Sequence, residues 1–244
     1  MSLSRFSKLS IIFIVSAWAA STVTAQDELS FDAGIAAKDR GHFATAIRAW
    51  LPLAEAGSAE AQNNLGHMYE EGLGVSQNYQ TAMSWYRKAA EQDLPQAQHN
   101  VGLLYYNGYG VQTNPREAVR WFRQSADQGL DASEYMMGLA YYEGEGVELD
   151  YREARKWFTM GAKKGYADSM LMLSFMLLSG DGAEDRRSDA FSSYLWSQLT
   201  LRMGQEEGDS VRAIAVLQLE DEQAAEADKM VEICLQQGLD NCPI

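Results

Sequence analysis

A step of 36 residues runs through this chain. It separates Trp85, Trp121 and Trp157, then Tyr69, Tyr105 and Tyr141, then Ala82, Ala118, Ala154 and Ala190. Two glycine columns keep the same step: Gly72, Gly108, Gly144, Gly180 and Gly74, Gly110, Gly146, Gly182. Self-similarity at a period of about 20–50 residues marks a solenoid, whose units bury their apolar faces only against one another. Function in such a chain is sought on the long surface that stacked units share, not in a single cleft.

The apolar pattern inside one unit identifies its elements. In residues 59–94, Ala61, Leu65 and Tyr69 fall at i, i+4 and i+8 and share a helical face. Gly72-Leu73-Gly74-Val75 follows, and glycine at a helix end takes the left-handed conformation that other residues resist. Val75 is expected to turn back into the core. A second helix should start near Asn78 and bury Ala82, Trp85, Tyr86, Ala89 and Ala90. The alanines allow close approach of the paired helices, and Trp85, Trp121 and Trp157 are each expected to lie buried between units. Pro95 suits a first helical turn, where its missing N–H costs nothing. Gly129 and Gly165 close later second helices, with Asp93 in the corresponding place of the first.

The units read as 59–94, 95–130, 131–166 and a divergent 167–204, flanked by a shortened unit at 26–58 and a C-terminal helical cap at 205–244. In the shortened unit, Arg40-Gly41-His42 replaces the glycine loop. The fourth full unit has Ser174 where Gly66, Gly102 and Gly138 stand in the others, and its Tyr194-Leu195-Trp196 comes about three residues late. Gly208 is the expected boundary before the cap, Ser210 an expected N-cap for the run Val211 to Leu217, and a last helix is expected over about 221–236.

The first 25 residues stand apart. Arg5 and Lys8 precede the apolar run Leu9 to Ala20, and Val23-Thr24-Ala25 fits a small-residue cleavage site, so 1–25 reads as a signal peptide with Gln26 as the first mature residue. The run is short of the roughly 20 residues a spanning helix needs, and an uncleaved membrane anchor or secretion to the exterior are the alternatives to a periplasmic protein. The chain carries a formal charge of −14. Loss of 1–25 takes Arg5 and Lys8 from the 20 basic residues and nothing from the 34 acidic ones, leaving −16. Such a chain is repelled by phosphate backbones and anionic lipid, so no nucleic acid and no membrane insertion after cleavage are expected, and a soluble monomer is. The two cysteines, Cys234 and Cys242, are an even count in an exported chain and read as a disulfide. On one straight helix they would stand about 12 Å apart along the axis, beyond the ~7 Å a disulfide spans, so the helix must end between them, with Gly238 as the stop.

The segments AEAQNNLGHMYEEGLGV, PQAQHNVGLLYYNGYGV and DASEYMMGLAYYEGEGV, each followed by a helix with A-x-x-W-[YF], resemble Sel-1-like repeats, a branch of the tetratricopeptide-like solenoids. The resemblance covers roughly residues 32–204, and LEDEQAAEADKM is similar to the closing helix of bacterial members. It implies an all-α fold, a right-handed superhelical solenoid of helix pairs with a C-terminal capping helix. It implies adaptor or regulatory roles, often in bacterial envelope signalling, secretion, polysaccharide assembly or host contact. A disulfide-rich subgroup is associated with penicillin binding or hydrolysis, but its cysteine pairs lie within the repeats, where this chain has none.

No catalytic constellation is evident. G-x-S-x-G, S-x-x-K and H-E-x-x-H are all missing. His42, His67 and His99 lie in different units without metal-ligand spacing, and His67 and His99 read as ordinary surface histidines. Asp181-Gly182 with Glu184-Asp185 lacks the spacing of a calcium loop. The G-x-G pairs follow no strand and read as turn glycines, not a phosphate loop. No cofactor and no metal are expected.

By resemblance to tetratricopeptide solenoids, one first-helix face lines a concave groove. Its positions i, i+3, i+7 and i+10 read Glu60, Asn63, His67, Glu70, then Gln96, His99, Leu103, Tyr106, then Ala132, Tyr135, Leu139, Tyr142, then Asp168, Leu171, Phe175, Leu178. Polar residues give way to apolar ones along the chain, and an aromatic-rich patch is a mark of a protein interface. The expected protein-binding residues are Leu103, Tyr106, Tyr135, Leu139, Tyr142, Leu171, Phe175 and Leu178, unless the C-terminal helices fold over and cover them. The chain thus reads as a non-catalytic, exported scaffold or regulator that holds a protein partner. A structural role with glycans in the envelope is the second reading, and a penicillin-interacting enzyme the third, disfavoured for want of a nucleophile signature.

Overall fold

The structure, a computed structural model, describes residues 25–242. Residues 1–24, which carry nearly all of the expected export segment, lie outside the described residues. Helices pair in order along the chain: α1 (Ala25–Asp39) with α2 (Phe43–Glu55), α3 (Ala59–Glu71) with α4 (Tyr79–Ala90), α5 (Pro95–Asn107) with α6 (Pro115–Asp127), α7 (Asp131–Glu143) with α8 (Tyr151–Lys163), and α9 (Ala167–Ser179) with α10 (Ala190–Arg202). Two more helices, α11 (Gly208–Val216) and α12 (Asp221–Gln237), and a short 3-10 turn (Leu239–Asn241) complete an all-α solenoid, with no strand among the described residues.

The same capping chemistry flanks the loop inside each full unit. Asn78, Asn114, Asp150 and Asp189 precede α4, α6, α8 and α10, and each side-chain oxygen accepts from a backbone N–H two or three residues on. That partner satisfies an amide the first turn leaves open. Gly72, Gly108, Gly144 and Gly180 end α3, α5, α7 and α9 in the left-handed region. The second glycine of each loop has another task. At Gly110 (φ 70°) a side chain would also stand 2.7 Å from the backbone of Tyr79, where the loop of one unit crosses the start of the preceding unit's second helix.

The core is a string of clusters, each bridging the second helix of one unit and the first helix of the next. Trp50 and Leu53 of α2 meet Leu65 and Met68 of α3, and Tyr86 and Ala89 of α4 meet Val101 and Leu104 of α5. Phe122 of α6 meets Met137 of α7, and Phe158 of α8 meets Met170 and Leu173 of α9. No unit therefore owns a complete core, and stability is shared between neighbours.

The tryptophan column departs from expectation. Trp121 and Trp157 are buried, each 9 % exposed, but Trp85 is only half-buried, with the Lys88 ammonium 4.0 Å from its ring centroid. The residues one step on, Tyr86, Phe122 and Phe158, are the fully enclosed rings. The fourth pair shifts register because the loop 180–189 is longer, so Trp196 stands seventh in α10 as Trp157 does in α8, and Ala190 opens its helix instead of continuing the alanine column. The cap also differs in detail. α11 begins at Gly208, which packs against Ser197 and Thr200 of α10, and Ser210 lies inside the helix with its hydroxyl donating to the Glu207 carbonyl. α12 packs on α10, ends at Gly238, and is tied by the Cys234–Cys242 disulfide to the 3-10 turn, which reaches back to α8.

Candidate functional site

The first helices α3, α5, α7 and α9 form one row, and their side chains meet across it. Asn100 donates its amide to Asn63 Oδ1 at 3.0 Å, linking α5 to α3, and His99 Nδ1 meets Ser133 Oγ at 2.8 Å, linking α5 to α7. Further along the row, Tyr135 packs against Phe158 and Tyr166, and Tyr142 against Tyr151.

The eight apolar positions expected on this face are not equally open. Phe175 is 44 % exposed. Leu103, Tyr106, Tyr135, Leu139, Tyr142 and Leu171 are half-buried, and all of these but Leu171 lean on the core clusters beneath. Leu178 packs under the cap against Tyr194, Ala215 and Ala227. α11 and α12 sit on α10 and on part of α9, extending the stack at its end.

Carboxylates stand beside these rings. The Tyr106 hydroxyl is held above its ordinary pKa by burial and by Glu145 and Glu143. Burial and Asp168 do the same for Tyr135 and Tyr166, and burial and Asp181 for Tyr142. Phenols thus stand beside carboxyl groups, a surface with hydrogen-bond donors, flat apolar area and acidic side chains.

The histidines separate. His42 and His67 are exposed, but His99 is not the surface group its sequence position implied. Its ring packs 5.5 Å from that of Phe122, and burial lowers its pKa to about 4. Ser133 Oγ donates to Ser125 Oγ, which donates to the Pro95 carbonyl, both at 2.8 Å. The chain of donors requires His99 to carry its proton on Nδ1 and give it to Ser133. His99 therefore cannot act as a base toward that hydroxyl, and both serines are fully buried. His67 has other company. One ligand atom each from His67, Glu70 and Glu71 lies within 4.8 Å of the others, a set of donors that could hold a metal ion, and Glu70 also accepts from the Tyr86 hydroxyl at 2.6 Å. An open cavity of about 590 Å³ lies between the α7–α8 and α9–α10 loops, with Asp150, Arg152, Asp181, Glu184 and Arg186 on its walls.

One repeated contact went unread in the sequence. Gln92 donates to Gln62, Gln128 donates to Gln98, and Lys164 donates to Glu134, each pair 30 residues apart. Gln62, Gln98 and Glu134 keep the 36-residue step, so the signal was present. It was missed because the third pair exchanges two amides for an ion pair. The Glu134 side chain is 1 % exposed, and Lys164 reaches Oε1 at 2.5 Å.

Comparison with known proteins identifies the repeat. The Sel1 repeat family model matches residues 59–94, 95–130 and 131–166. The crystal structure of a Sel1 repeat protein from Oxalobacter formigenes is similar, with 31 % identity, 84 % of each chain covered and a TM-score of 0.71. That of c5321, described as a protective antigen of uropathogenic Escherichia coli with an SLR fold, has 30 % identity and a TM-score of 0.68. There 87 % of this chain covers 50 % of the other. A comparison with curated proteins produced no match.

Proposed function

The chain belongs to the Sel1 repeat family, and from that premise we propose that it is a non-catalytic scaffold of the bacterial cell envelope, docking a segment of a protein partner on its first-helix face. The observation that carries this reading is the run from Tyr106 through Tyr142 to Phe175, half-buried or exposed on three successive first helices. Tyr106 and Tyr142 are held from below by the core clusters they pack on, and rings so held offer large contact area at small entropic cost, the property of interface anchors. Residues 59–204 would supply the docking units, with 26–58 and 205–244 as end caps.

Export to the periplasm is part of the proposal. The charged, apolar and small-residue order of 1–25 supports it, as does the disulfide, which persists in an oxidising compartment. Among the described residues no helix is long and apolar enough to cross a membrane.

The test is capture from envelope extracts with the full chain and with Tyr106→Ser/Tyr142→Ser/Phe175→Ser. The reading expects a partner retained by the parent and lost by the variant while circular dichroism shows the variant still folded, at a melting temperature lowered by the loss of two rings that pack on the core. Retention of the same partner by a folded variant would place the binding surface elsewhere.

A further inference from the structure

Charge is sorted between the two rows of helices. α3, α5, α7 and α9 contain no lysine or arginine. Their second-helix counterparts α4, α6, α8 and α10 carry ten: Arg87 and Lys88, Arg116, Arg120 and Arg123, Arg152, Arg155, Lys156 and Lys163, and Arg202. Apart from Glu134, which Lys164 pairs, the acids of the first row are Glu60, Glu70, Glu71, Asp131, Glu143 and Asp168.

Helix stability explains only half of these. Glu60, Asp131 and Asp168 lie in first turns, where the helix dipole favours an acid. Glu70, Glu71 and Glu143 lie in last turns, where the dipole and the open carbonyls favour a cation, and none of the four helices has a basic residue there. Glu145 and Asp181, in the loops just beyond, add to the same edge and stand near Tyr106 and Tyr142. The C-terminal edge of the row thus gathers negative charge at a cost to the helices, beside the half-buried rings of Tyr106 and Tyr142 and next to the half-buried Leu103 and Leu139.

We propose that the segment docked on this face is a cationic amphipathic helix, its apolar stripe on the leucines and tyrosines and its lysines or arginines along the acidic edge. The proposal rests on the docking function above and names the chemistry of the partner. Ammonium and guanidinium groups match tyrosine faces flanked by carboxylates through cation–π attraction and ion pairing. Packed helices lie about 8–10 Å apart, so the row of four is roughly 27 Å across and a helix of about 18 residues spans it.

The experiment uses the full chain and two labelled synthetic peptides of that length, one a Leu/Lys amphipathic helix and one its Leu/Glu counterpart, with binding read by fluorescence anisotropy. The Lys peptide should bind at least about tenfold more tightly, and added salt should weaken it. Glu143→Gln/Glu145→Gln/Asp181→Asn should lose about tenfold, as expected of three rim pairs of modest strength. Glu91→Gln/Asp127→Asn/Glu222→Gln makes the same change in net charge at exposed sites off this face and should bind as the parent does. Equal loss in the two variants would mean that net charge alone draws the peptide, and the proposal falls. It falls too if neither peptide binds. If both peptides bind equally and Tyr106→Ser/Tyr142→Ser/Phe175→Ser abolishes both, the docking face stands and its preference for cations is overturned. If the Lys peptide binds that serine variant unchanged, docking on this face is itself wrong.

Discussion

Gly102 of α5 lies so close to the ring of Phe122 that a Cβ added to it would stand 2.5 Å from Cε1. Gly66 with Tyr86 and Gly138 with Phe158 repeat the contact, so a missing side chain on each first helix admits a ring from the second. In the fourth unit Ser174 takes the glycine position, and its carbonyl accepts from the hydroxyl of Ser193 at 2.8 Å.

Two opposed effects act on Gly102→Ala. Alanine favours a helix interior over glycine by about 1 kcal/mol. Forcing a methyl into a ring that is 1 % exposed costs about 1–3 kcal/mol. The clash should win, giving a net loss of up to about 2 kcal/mol in urea unfolding. Phe122→Leu added to it should recover part of that loss, because the smaller side chain leaves room.

Lys164→Gln should destabilise by about 1–3 kcal/mol, because it leaves the Glu134 carboxylate buried without its cation. Adding Glu134→Gln recreates the amide pair of Gln62 with Gln92 and of Gln98 with Gln128. The double variant should regain most of the loss. A double variant as unstable as the single one would show that the pairs are not equivalent.

His99 makes stability depend on pH. Its folded pKa, about 4, lies below the unfolded value near 6.5, so the unfolded chain binds the proton more readily between them. This contribution is present in full above about pH 6.5 and is lost as pH falls toward 4, by up to about 3 kcal/mol. His99→Asn places there the residue that unit one has at Asn63. The difference in unfolding free energy between parent and variant should therefore narrow or reverse in favour of the variant as pH drops through that window. A difference that does not vary with pH would contradict the half-buried, neutral imidazole.

The disulfide closes a short loop, with the cysteines eight residues apart. Cys234→Ser/Cys242→Ser should cost about 2–3 kcal/mol. The loss should appear as a lower melting temperature that a reductant reproduces in the parent and not in the variant.

The repeat was legible because its most constrained positions recur at one spacing. Gly72, Gly74 and their counterparts all have positive φ, and Asp93, set in the place of Gly129 and Gly165, has φ 62°. What escaped the sequence depends on neighbours. Trp85 has the pattern of Trp121 yet lies half-open, because packing between units decides which of two adjacent aromatics is enclosed. His99 looked exposed from its helical offset, but Phe122 and Ser133 arrive from other helices to cover it. Leu178 follows the apolar column of Tyr106 and Tyr142, and only the placement of α11 puts it under the cap.

Phe175 and Met160 offer a matched comparison, 44 % and 43 % exposed, one on a first helix and one on a second. Replacing each in turn by the photoreactive benzoylphenylalanine and irradiating intact cells tests directly whether the first-helix face is the docking surface. The account predicts a discrete protein adduct from position 175 that is missing from position 160. An adduct from 160 with none from 175 would contradict it.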